Sequence, residues 1–225
     1  METITPQVIC SIFGLPISST IIHTWFCIAL IILIIILLNK IKPILLDMLV
    51  EFLINLISDL MGIDHVEQYL PFLGTLAIFM TLANNLGLLP IINSPTSDIN
   101  TPIALSIIVF FSVHFYGIKN KGVLGYMKDL ASPIFLLPLE IIGQFSRTLS
   151  LSLRLFGNIL GTDLIVAIIT SIVPFFAPMP MMALSMLTGV LQAYIFTSLA
   201  AVYITSGLDL KETHGKRLLN NEAQK

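Results

Sequence analysis

LPLEIIGQFSRTLSLSLRLFGNILGTDLIVAIITSIV, residues 137–173, decides how the rest of the chain is read. It is apolar enough to cross a membrane, yet Arg147 and Arg154 lie within it. A charge near the centre of a spanning helix costs about 2.5–3.5 kcal/mol on insertion scales, so it normally faces a partner, a water-filled cavity or an ion path. On a helix turning about 100° per residue, Ser146, Ser150, Arg154, Gly157 and Gly161 fall within a stripe roughly 80° wide. Small residues let a neighbouring backbone approach, so Arg154 is the one reaching group on that face; the Gly157/Gly161 pair is a weak signal alone. Glu140, Arg147, Asn158 and Gln144 flank the stripe, and Asp163 sits on the opposite side of the helix. At about 1.5 Å per residue, Glu140 lies roughly 21 Å before Arg154 and Asp163 roughly 14 Å after it, together about one hydrocarbon thickness. The competing reading is that the two arginines snorkel to headgroups or pair structurally with Glu140 and Asp163. It suits Arg147, near the start of the helix, better than Arg154.

Composition places the whole chain in the bilayer. Of its 225 residues 56% are hydrophobic and 11% charged, and the mean hydropathy is +0.96, outside the range of soluble globular domains. A net charge of -2 and the lack of a basic cluster give no sign of nucleic-acid binding. Cys10 and Cys27 have no CxxC spacing and read as small apolar fillers. His23, His65, His114 and His214 are scattered, with no helical ligand pair, so no metal or other cofactor is expected. No lysine or arginine precedes Lys40, so residues 21–38 are expected to be a retained span rather than a cleaved signal.

In chain order, residues 1–20 are too polar and broken to span and read as an outer segment. Residues 21–38 form a first span with Trp25 as an interfacial anchor, stopped by Asn39, Lys40 and Lys42. Residues 43–62 repeat Asp47, Glu51, Asn55 and Asp59 at helical period, an amphipathic helix at the interface or against a neighbour. Residues 69–89 are a second span whose TLANNLGLLP end reads as an ordinary helix end with Gly87 and Pro90 beyond it. A turn-rich loop leads to a third span, 101–117, closed by a loop carrying Lys119, Lys121 and Lys128. Between Pro138 and Pro174 no proline occurs, so the 137–173 helix extends about 54 Å against a core of about 30 Å. It is expected to be steeply inclined, bent or interrupted, and packed on the last span, 181–205, before a polar tail, 206–225. The expected fold is thus a single all-α membrane domain of about five embedded helices and one amphipathic helix.

Of 11 basic residues, the nine outside 137–173 all fall on one side in this layout. By the positive-inside rule the N-terminus is outside and the C-terminus cytoplasmic, with Glu140 towards the cytoplasm and Asp163 towards the exterior. On the last span Ser185, Thr188, Gln192 and Tyr203 share a face, which would glue helices or form a hydrated wall opposite Arg154. A secondary transporter with Arg154 as counter-charge would predict internal repeats or broken helices, which the sequence lacks. An intramembrane protease using Ser150 or Ser152 would need a base that no histidine supplies. A bare scaffold leaves Arg154 on its shaved face unexplained.

SLSLRLFGNILGTD, with PLEIIGQFSR before it, TLANNLGLLP and SPTSDIN earlier and LQAYIF later, resembles subunit a of the F-type ATP synthase membrane sector. The likeness runs from about Pro43 to the tail and is most specific around Arg154; the first forty residues match only in layout. The resemblance implies a non-catalytic stator subunit beside a rotating ring of c subunits, each with one ion-binding carboxylate, and held by a peripheral-stalk subunit b. It implies two offset half-channels, an essential role for Arg154, Glu140 on the cytoplasmic side, Asp163 on the outer route, and Gln192 and Asn158 near the arginine. Ser185 stands where many members have histidine or glutamate and cannot relay a proton by changing charge; Asp163 stands where many have glutamate. The stripe of Ser146, Ser150, Gly157 and Gly161 becomes the close-approach face towards the ring. A bacterial cytoplasmic membrane is the expected location, with an organelle inner membrane as the alternative.

Overall fold

The computed structural model describes residues 8–12, 15–63, 65–87, 94–130, 137–173 and 178–222. The side chains of residues 8–18, Lys128, Glu140 and everything beyond Leu208, and the prolines Pro90, Pro133 and Pro174, lie outside the described set. The architecture is the all-α membrane fold expected, entered through a short antiparallel hairpin of β1 (Val8–Ile12) and β2 (Leu15–Ser18) that the sequence had left as irregular chain. Seven helices follow among the described residues: α1 (Ser19–Ile41), α2 (Pro43–Met61), α3 (Leu70–Leu86), α4 (Asn100–Lys121), α5 (Val123–Leu130), α6 (Leu137–Ile172) and α7 (Pro178–Glu222).

Among the described residues four stretches are long and apolar enough to cross a membrane: Ser19–Ile41, Asn100–Lys121, Ile142–Ile172 and Pro178–Leu208. α3 is shorter, 17 residues, or about 25 Å. It is packed inside the bundle, with Leu73, Met80 and Ala83 at 0% exposure. α2 starts on Pro43, whose missing N–H costs nothing in a first turn. It ends on Gly62 at φ 66°, whose N–H closes onto the Ser58 carbonyl. Leu53, Ile57 and Met61 bury one face of α2 while Asp47, Glu51 and Asp59 stay exposed, so the amphipathic helix lies against α1, α3 and α7.

Two boundaries differ from expectation. The lysine loop folds into α5, whose buried Tyr126 lies over Gly117 of α4 so closely that any side chain at 117 would collide with its ring. α7 runs on through residues expected to form a tail, because GLDLKETHGKRLLNNE contains no proline to stop it.

α7 packs against α2, α3, α4 and α6 around a core that includes Ile57, Leu73, Met80, Val109, Leu155, Phe196 and Ile204. At one end of the bundle the Thr20 hydroxyl donates to Asp98 Oδ2 at 2.7 Å. At the other, the rings of Tyr69 and Tyr116 meet edge to face, 5.0 Å between centroids. Lys40, Lys42, Lys119 and Lys121 all belong to this second end, because α1 and α4 both finish there.

Candidate functional site

α6 buries Leu151, Ser152, Leu155 and Ile159 against the bundle, which turns the opposite side outward. Ser146, Ser150, Arg154 and Gly157 are accordingly exposed and Gly161 half-buried. A Cβ built at Gly157 or Gly161 meets nothing within 4 Å, so the small stripe faces open space. Among the described residues the Arg154 guanidinium has no carboxylate within salt-bridge distance and no hydrogen-bond partner. The structural pair with Asp163 is therefore absent; Asp163 is half-buried at the far edge of the packed face. Glu140 occupies the first turn of α6.

Arg147 is treated differently. Its guanidinium lies over the Tyr203 ring of α7, 5.6 Å from the centroid. That contact sets the register of the antiparallel α6–α7 hairpin, since both residues lie far from the connection at 173–178. Measured from this level at about 1.5 Å per residue, Arg154 is about 10 Å along the bundle, and Asn158 and Gln192 are level with one another about 16 Å along. Asp163 follows at about 24 Å and Ser185 at about 27 Å. The fold thus brings Gln192 to the level of Asn158, one turn beyond Arg154, and Ser185 to about the level of Asp163. Gln192 is 5% exposed, and its buried Nε2 has no hydrogen-bond partner among the described residues. Ser185 is half-buried, its carbonyl accepting the Thr188 hydroxyl at 3.0 Å.

Sequence reading missed a polar seam between α3 and α7. Asn84, read as part of an ordinary helix end, is buried and donates Nδ2 to the Gly189 carbonyl at 3.0 Å, tying α3 to α7. Its Oδ1 accepts the Thr96 hydroxyl at 2.9 Å. Among the described residues Asn85 donates only to Thr81 of its own helix, and its buried Oδ1 has no partner. Gly189 permits this crossing: a Cβ there would stand 3.2 Å from Asn85 Oδ1 and 3.3 Å from Asn84 Cβ. Two adjacent asparagines in an apolar helix were the available signal, because polar groups inside a bilayer are normally partnered.

The family described as ATP synthase A chain matches residues 16–205. The chain belongs to that family. The match takes in α1 to the span-forming part of α7 and every candidate residue named above. A Picosynechococcus protein named ATP synthase subunit a 2 is 39% identical over 206 residues, 87% of this chain and 88% of that protein. ATP synthase subunit a of Legionella pneumophila is 38% identical over 210 residues, covering 90% and 91% of the two chains. ATP synthase subunit a 1 of Crocosphaera subtropica is 47% identical over 150 residues, 66% of this chain and 65% of that protein. As an A chain, the molecule presents a guanidinium without a partner among the described residues on an open small-residue face, with further polar groups at successive levels beyond it along α6 and α7.

Proposed function

We propose that this A chain is the non-catalytic stator subunit of an F-type ATP synthase, carrying protons to and from the carboxylates of a rotating c-ring through two offset half-channels. The observation that carries the reading is Arg154, exposed without a partner on a stripe with room for another backbone. A ring carboxylate crosses to the lipid side only when neutral, because an isolated charge there is expensive. Beside Arg154 its ionised form is favoured, so it releases its proton on one side and reloads on the other. A guanidinium keeps its charge in proteins and blocks direct leakage between the channels.

Glu140 marks the cytoplasmic half-channel, and Asp163, with Asn158, Gln192 and Ser185, the outer one. The order of these residues along α6 and α7 supports this, as does the orphaned amide of Gln192. The basic residues gathered at the second end of the bundle support a cytoplasmic C-terminus and an outer N-terminus in a bacterial cytoplasmic membrane. Subunit b of the peripheral stalk and the rest of the synthase complete the assembly. Replacing Asp163→Asn or Glu140→Gln is expected to lower ATP-driven proton pumping in vesicles at least about tenfold, the loss of a positioned proton-transfer group. Unchanged pumping in both variants contradicts the assignment of the half-channels.

A further inference from the structure

Arg147 precedes Arg154 by seven residues, two helical turns, so the two point within about 20° of each other and stand about 10 Å apart along α6. Both are exposed at the rim of the same stripe. A carboxylate moving past this face therefore meets two cations of the same chemistry. In a low-dielectric setting the attraction falls slowly with distance, so a second free guanidinium would compete with Arg154 for the ionised carboxylate. Such competition would hold the carboxylate off the position from which it reloads.

The structure separates the two arginines. Arg154 has no partner among the described residues, whereas Arg147 lies over the ring of Tyr203, 5.6 Å from the centroid. This falls inside the roughly 6 Å range in which an aromatic face attracts a guanidinium. Tyr203 is half-buried on α7, so the ring is supported by the bundle and draws Arg147 towards α7. The contact leaves the charge of Arg147 intact and fixes where it sits.

We propose that Tyr203 is a positioning residue that parks Arg147 against α7, leaving Arg154 as the single guanidinium free to engage the ring carboxylate. The inference rests on the function proposed above. It requires the aromatic face and not the hydroxyl, and it makes Arg147 harmless when parked and obstructive when released.

The test uses the assembled complex in membrane vesicles, measuring ATP-driven proton pumping for Tyr203→Phe, Tyr203→Leu, Arg147→Gln and the double variant Tyr203→Leu/Arg147→Gln, with Arg154→Ala alongside. Tyr203→Phe is expected to pump as wild type. Tyr203→Leu is expected to fall about fivefold, as loss of a cation–π contact allows. The double variant is expected to recover, because no second cation remains to be parked. A double variant as slow as Tyr203→Leu overturns the proposal, since it would mean that Tyr203 serves packing alone. Should Tyr203→Leu fail to assemble, Arg147→Gln decides: pumping near wild type supports a charge that is merely stored, and loss of pumping overturns it. An Arg154→Ala complex that still pumps removes the underlying function and this inference with it. A silent Arg154→Ala combined with a normal Tyr203→Leu overturns the positioning role alone.

Discussion

Asn84 and Asn85 stand side by side in α3 and differ in what they hold. Asn84 joins Gly189 of α7 and Thr96, whereas Asn85 donates to its own helix and leaves its carbonyl oxygen unpaired. Asn84→Ala would remove the bond that ties α3 to the Gly189 carbonyl of α7 and leave the Thr96 hydroxyl with Ser94 as its partner. The expected cost is about 1–2 kcal/mol, the range for an interhelical hydrogen bond in a bilayer. Asn85→Ala is expected to cost less. Thermal unfolding of the purified complex in detergent checks this, and equal losses from the two variants would contradict the seam as drawn. Arg154, Asn158 and Gln192 stood out in the sequence because polar groups are rare in an apolar helix, and the roles given to them belong to the proposed function. The Arg147–Tyr203 contact was not legible, because it depends on the register of a hairpin whose two arms place these residues far apart in sequence.

Helix by helix, the long apolar elements followed from hydropathy and from proline placement, and α6 is as unbroken as its proline-free run implied. α5 and the extension of α7 were not legible: local polarity marks a segment as solvent-facing but does not make it a loop when nothing breaks the helix. At this scale the glycines of α6 and α7 do opposite work. Gly157 faces open space, whereas Gly189 abuts Asn84 and Asn85. Gly189→Leu is expected to destabilise the fold by about 1–3 kcal/mol, as overpacking does. Gly157→Leu is expected to leave unfolding unchanged yet suppress ATP-driven pumping, because it fills the open space that the proposed ring would approach. Normal pumping by Gly157→Leu would mean that no backbone approaches that face.

Across the whole molecule, the placement of basic residues predicted which helix ends lie together, and the fold gathers the ends of α1 and α4 with the far ends of the α6–α7 hairpin. The sequence offered a signal for that gathering in Lys40, Lys42, Lys119 and Lys121, which follow the apolar runs of α1 and α4. The β1–β2 hairpin was not, since pairing of two short strands depends on contacts that composition does not encode. A proton crossing 100 mV gains about 2.3 kcal/mol, and the proposed half-channels convert it only if no continuous path joins the two sides. In the function proposed, Arg154 is the residue on which that separation depends. The most direct measurement is passive and ATP-driven proton flux in vesicles carrying the assembled complex, wild type against Arg154→Ala. The expected result is loss of ATP-driven pumping with passive flux retained or increased, and coupled pumping at the wild-type rate would contradict Arg154 as the separator.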